Sequence, residues 1–210
     1  MNHAEDLNKL IETASRRADF QSNGYRSFET ENQADLGTAL QAGNLFFTTS
    51  VLGMEAISHV IEDQALNIGG NFSFYTGFQK FSRMKAQQER YKKLCKTGNS
   101  INIFGIPDTQ PWLDEPNLHV ITLNKAPSPA EPNLAQNWFV VLNNPKFVSI
   151  ALVAHELPGA KNPPRGVTRL VYRNFEGFWT YNQAVIDQVV GTLDDYIQAG
   201  KNTSVKIKSV

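Results

Sequence analysis

The sequence predicts an α/β protein: a three-layer α/β sandwich with a central mixed sheet, plus an N-terminal amphipathic helix. Three observations predict it. Short apolar, strand-like runs are interleaved with amphipathic stretches, which places a sheet between helical layers. The amphipathic stretches carry their own start and stop signals, with glycines at their ends. The chain has 210 residues, 41% hydrophobic and 19% charged, enough for one sizeable core and ordinary for a globular protein.

The elements follow in order. Residues 4–20 have Leu7, Leu10, Ile11 and Ala14 at helical spacing. Residues 21–37 are polar, contain Gly24 and Gly37, and read as a connecting arm. "NLFFTTS" is strand-like. A helix from about Leu52 to Asn67 has Met54, Ile57, Ile61 and Ala65 on one face and ends at Gly69-Gly70. "NFSFYTGF" is a strand. Residues 82–97 form a helix with Ser82 as its candidate cap and Met84, Tyr91, Leu94 and Cys95 as its stripe. "SINIFGI" and "LHVITL" are strands separated by a proline-containing loop at 107–117, and a second such loop covers 126–133. "QNWFVVL" and "KFVSIALVA" are strands joined through Asn143-Asn144-Pro145. After the loop "PGAKNPPRG", "TRLVYRNF" is a strand, and Gly177 permits a tight turn after it. Thr180 with Gln183 matches a capping box for the last helix, which Gly200 ends, leaving a loose tail. The expected domain layout is a helix and arm over 1–38, an α/β domain over 39–199 and a tail over 200–210.

Composition limits the function. Formal net charge is zero, so no global field draws the chain to nucleic acid or to a membrane. The single cysteine, Cys95, forms no internal disulfide and reads as a buried, inert thiol. "MNHAEDLNKL" has no basic region followed by an apolar run, and no stretch approaches the roughly 20 apolar residues of a membrane span. The expectation is a cytoplasmic protein. No phosphate-loop or dinucleotide glycine motif occurs, and Gly69-Gly70 follow a helix where phosphate-cradling glycines precede one. His3, His59, His119 and His155 form no metal-ligand pair, and no nucleophile elbow is present.

The polar residues worth weighing are few. Glu62 and Asp63 are adjacent on a helix, pointing about 100° apart, so they are not an acid/base dyad. Glu62 lies with Glu55 and His59 on the flank of the apolar stripe; a solvated or capping charge is the plain reading, a polar contact beside a strand mouth the functional one. Residues 80–96 hold seven basic side chains against Glu89 alone. Arg83 and Arg90, two turns apart, would share a face and meet an anion; a solvated face with extended lysines explains them as well. Arg173 and Glu176 lie near the last turn and reach toward a pocket if one is there. Phe78, Tyr91, Trp138, Phe178 and Trp179 either pack the core or line a site for a planar ligand. The candidate ligand-binding set is therefore Glu62, Asp63, Gln79, Arg83, Arg90, Tyr91, Trp138, Arg173, Glu176 and Trp179, with no catalytic or metal site.

Five stretches in order carry a resemblance: "AISHVIEDQAL", "GFQKFSRMKAQQERYKKLC", "NIFGIPD", "NWFVVLNNPKFVSIALVAHE" and "RNFEGFWTYNQAVIDQVV". Over about residues 40–198 the chain resembles the DICT sensory domain, named for its occurrence with diguanylate cyclases and two-component systems. The resemblance implies a sensory module with an α/β sandwich fold, linked to light-responsive signalling, and no catalytic set. Output would then pass to a partner such as a kinase, cyclase or transcription regulator, or through a ligand-controlled surface or a homodimer. No cofactor is named by it.

The leading expectation is a stand-alone, non-enzymatic sensor or adaptor that binds a small ligand or a signalling protein. An enzyme on a nucleotide-type α/β fold would need Glu62, His155 and Glu176 to converge. Nucleic-acid binding through the basic helix 80–96 comes third. The N-terminal helix must cover either its own domain or a second copy.

Overall fold

The computed structural model of the chain describes residues 3–17, 25–28, 43–110, 114–124, 134–158 and 173–206. Its order is α1 (His3–Arg16), β1 (Tyr25–Phe28), β2 (Leu45–Ser50), α2 (Val51–Ile68), β3 (Ser73–Lys80), a 3₁₀ segment (Phe81–Gln87), α3 (Gln88–Thr97), β4 (Ser100–Ile106), β5 (Leu118–Thr122), a 3₁₀ turn (Leu134–Gln136), β6 (Asn137–Asn143), β7 (Ile150–Glu156), β8 (Asn174–Thr180) and α4 (Gln183–Lys206). The strands form one mixed sheet in the order β1-β2-β8-β7-β6-β3-β4-β5. β1 and β2 run parallel, as do β3, β4 and β5; the pairs between β2 and β3 across the middle are antiparallel.

Alternation of side chains along each strand divides the core into two layers. On one face, Phe74, Val140, Leu152, Phe175 and Trp179 pack under the α2 stripe of Met54, Ile57, Ile61 and Ala65, and under Tyr91 and Leu94 of α3. On the other face, Tyr75, Phe139, Val141, Val153 and Phe178 pack under Leu7 and Ile11 of α1 and Ile186, Val189 and Leu193 of α4. The expected sandwich is therefore present, and α1 covers its own domain by packing against α4, β7 and β8. A hydrogen bond from the Tyr75 hydroxyl to Asp194 Oδ1, 3.0 Å long, pins α4 to the sheet.

Local signals explain several boundaries. Ser50 Oγ accepts the Gly53 N–H and caps α2, and Gly69, at φ +56°, ends it. Asn117 Nδ2 donates to the Cys95 and Gly98 carbonyls, satisfying the C-terminal end of α3.

Other expectations are corrected. Ser82 does not cap a helix: its N–H and hydroxyl both donate to the Asp108 carboxylate, at 2.9 and 2.6 Å. The segment it opens is 3₁₀ and becomes α-helical only at Gln88. α4 is capped by Asn182, whose Oδ1 accepts from the Ala184 and Val185 N–H groups; Thr180 Oγ1 instead accepts the Asn182 N–H. α4 also continues through Gly200, because an exposed helical glycine costs only about 1 kcal/mol and need not stop the helix. β1 lies within the presumed arm.

The largest correction concerns "NFEGFWT", which is strand β8 rather than a turn. Gly177 sits opposite Ala154 of β7, where a Cβ would lie 2.2 Å from the Val153 carbonyl oxygen. The glycine is there for close strand approach, not for chain reversal. The loops expected at 126–133 and "PGAKNPPRG", the strand residues 168–172 and the end of the tail lie outside the described residues, as does most of the arm.

Candidate functional site

A cavity of about 230 Å³ opens between α2, the C-terminal half of β3, the 3₁₀ segment, α3 and β6. α2 contributes Glu55, Ser58, His59 and Glu62, which recur every three or four residues and so form one flank of the helix beside its buried stripe. β3 contributes Thr76, Gly77 and Phe78, and β6 contributes Trp138 and Val140. Arg83, Gln87 and Tyr91 close the far side, and Arg173, just before β8, stands at the rim.

The walls are held by hydrogen bonds. Trp138 Nε1 donates to Ser58 Oγ at 3.0 Å, and Ser58 in turn donates to the Met54 carbonyl. Gln87 bridges two α2 side chains, with Nε2 donating to Glu55 Oε1 at 3.0 Å and Oε1 lying 3.2 Å from His59 Nε2. Phe78 meets Tyr91 edge-on at 5.2 Å between centroids, and Trp138 meets Phe175 the same way at 5.4 Å.

Glu62 is not the solvated charge that its place on the helix flank suggests. Its side chain is 4% exposed. Oε1 accepts the Tyr91 hydroxyl at 2.8 Å, and that oxygen of Tyr91 lies 3.2 Å from Thr76 Oγ1. Burial pushes the Glu62 carboxyl up to about 7, against the pull of the Tyr91 hydrogen bond and the Arg90 charge. The Tyr91 hydroxyl is pushed well up as well, by burial and then by the Glu62 charge.

A second cluster sits at the rim. Gln79 has φ +60° inside an irregularity of the β3–β4 register, so its backbone is left-handed at a position without glycine's freedom. Its Oε1 accepts from both Arg83 and Arg173, and its Nε2 lies 3.3 Å from Glu156 Oε2. Arg173 also grips Glu156, Nε donating to Oε1 and Nη2 to Oε2, both at 2.6 Å. Burial alone would raise the Glu156 carboxyl, but the Arg173 hydrogen bonds and charge outweigh it and hold it below the ordinary range. Arg83 and Arg173 bring two cations to this rim, against Glu156 and, acting on Arg83, Asp108, while Glu55 and Glu62 bring carboxyls to the inner wall.

Of the sequence candidates, Glu62, Arg83, Tyr91, Trp138 and Arg173 line the cavity, and Gln79 organises its rim. Asp63 is on the outside, where it pairs with Arg90; Arg90 also reaches Glu62 Oε2 with Nε at 3.2 Å. Arg83 and Arg90 therefore do not share a face, because the 3₁₀ segment between them advances three residues per turn and shifts the phase. Trp179 is fully buried in the core, edge-on to Tyr181. Glu176 pairs in register with His155 on the opposite face of the sheet from Glu62, so those three do not converge. Residues absent from the candidate set include Glu55, His59, Ser58 and Glu156. The helical spacing of Glu55, His59 and Glu62 was the signal for two of them; Thr76 and Gln87 gave none.

Among the described residues, no group of His, Cys, Asp and Glu side chains fits a metal ion, and no helix is long and apolar enough to cross a membrane. The arrangement suits binding: a ring-lined hollow, a buried acceptor inside and cations at the mouth. A family model described as DICT, "Sensory domain in DIguanylate Cyclases and Two-component system", matches residues 28–157, more than half of the chain. Comparison with curated proteins and with solved structures finds no match.

Proposed function

This chain belongs to the DICT family of sensory domains, and we propose that it is a non-enzymatic sensor that takes a small flat ligand in the α2–β3–β6–α3 cavity. The observation that carries the reading is the cavity itself, walled by Phe78, Tyr91 and Trp138 around the buried Glu62. Its volume lies below the roughly 300 Å³ at which drug-sized pockets begin, which favours one or two fused rings over an extended chromophore. α2 and α3 both wall the cavity and are joined across it by Glu62 and Tyr91, so occupancy would change how they sit together. The surface of residues 80–96, rich in lysine, then serves as the output face for a signalling protein with an acidic surface, such as a kinase, cyclase or transcription regulator.

Native mass spectrometry of the protein purified from its own host tests this. The expected result is a stoichiometric small molecule whose retention falls when Trp138 is replaced by Ala. Retention unaffected by that change, or turnover of a substrate lost on point mutation without unfolding, would overturn the reading.

A further inference from the structure

Glu62 Oε2 is buried and accepts no hydrogen bond. Its nearest neighbours, Arg90 and His59, each hold another side chain as well. Arg90 Nε stands 3.2 Å away without hydrogen-bond geometry, while the same guanidinium bonds Asp63. His59 Nε2 stands 3.9 Å away and meets Gln87. A buried carboxylate oxygen that accepts no hydrogen bond is rare, and the Arg90 ion pair offsets its desolvation only in part. A carboxylate oxygen also has two lone pairs, so Oε1 keeps one beside the Tyr91 hydroxyl. The side chain therefore offers two adjacent acceptors from the wall of a hollow lined by three aromatic rings.

We propose, on the basis of the sensory reading of this cavity, that its ligand is a flat amino-azine whose ring N–H and exocyclic amine donate side by side to Glu62. Guanine and pterin both present that edge. The pairing is the same fork-on-fork match that arginine makes with carboxylates. The three rings supply apolar surface for the ring faces, and aromatic stacking tolerates either bicycle. A quaternary ammonium would meet the rings but give Oε2 no donor, and a simple organic acid would meet the acidic inner wall of Glu55 and Glu62. The rim of Arg83 and Arg173 lies where a polar substituent on the bicycle would emerge.

The test is titration calorimetry of the full chain with guanosine against inosine, and with pterin against lumazine. Each second compound lacks the amine. Sites built to bond an N–H reject analogues without it strongly, so the expected preference is at least about tenfold within one pair, and the pair that shows it identifies the bicycle. Glu62→Gln should erase that preference while the variant stays folded, which a thermal melt at the pH of the titration verifies. Equal affinities within both pairs, or no binding of any of the four, overturns the proposal. A host-derived ligand with no amino-azine edge overturns it too, yet leaves the cavity as a sensor site; an unsubstituted protein that carries no small molecule and binds none of the four removes both.

Discussion

The Tyr91 hydroxyl of α3 donates a 2.8 Å hydrogen bond to Glu62 Oε1 of α2, tying together the two helices that wall the cavity. The bond is made to a carboxyl that folding has removed from water, and stability should record that removal. Folding raises the Glu62 carboxyl from its ordinary 4.5 to about 7. Below about pH 4.5 both folded and unfolded chains hold the proton. As pH rises from there to about 7, only the unfolded chain releases it, so stability falls across that window. The upper limit is on the order of 3 kcal/mol. Glu62→Gln should flatten this slope, leaving pH 4.5 little changed and raising stability at pH 8 by on the order of 2 kcal/mol. Urea unfolding at a series of pH values measures it; a variant with an unchanged slope would show that Glu62 is ionised throughout.

Arg173 and Glu156 give the opposite sign. The Glu156 carboxyl is held below its ordinary value, so its contribution is present above about pH 4.5 and is lost as pH falls through the lowered value. Both side chains are partly exposed, at 14% and 31%, so screening limits the effect to about 1 kcal/mol. Arg173→Met should destabilise most at pH 7 and least near pH 3. Thermal melts of the two proteins at those two pH values would decide it.

Gln79 combines a left-handed backbone with a three-partner amide. Gln79→Ala and Gln79→Gly lose the same hydrogen bonds, but only glycine relieves a conformation that costs other residues roughly 1 kcal/mol. The glycine variant should therefore be the more stable of the two by about that amount in chemical denaturation. Equal stabilities would mean that the backbone relaxes when the amide is removed.

Gly177→Ala places a methyl group 2.2 Å from the Val153 carbonyl oxygen and 2.5 Å from the Ala154 Cα, both backbone atoms that cannot rotate away. The expected loss is about 3 kcal/mol or more, or failure to fold. Soluble yield and the melting temperature report it. A variant with wild-type melting would remove close β7–β8 approach as the role of this glycine.

Helix stripes and apolar strands were legible because their periods are local. α1, α2 and most strands lie where the repeating apolar positions place them. β8 was missed as a strand because its glycine looks like a turn residue until its neighbour Ala154, 23 positions earlier, is known. The burial of Glu62 was illegible for the same kind of reason: its cover, Tyr91 and Arg90, arrives from a helix nearly 30 residues later. The 3₁₀ segment hid the divergence of Arg83 and Arg90, since an α-helical wheel puts them together. Half the candidate set still reached the cavity, because residues flanking a buried stripe and rings at strand ends are where a hollow between a helix and a sheet has to be lined.

The place of β8 between β2 and β7 also bears on how the chain is made. Among the described strands β2 pairs with β1 and β8 alone, so no strand pairing joins it to the rest of the sheet until residues 174–180 have left the ribosome. Until then β2 and β7 each present an open edge able to capture a strand from another chain. The last described strand thus acts as a closing wedge, and such late, long-range pairing is slow to find. A nascent chain stalled after residue 157 would carry the whole matched family region and still have both edges unprotected.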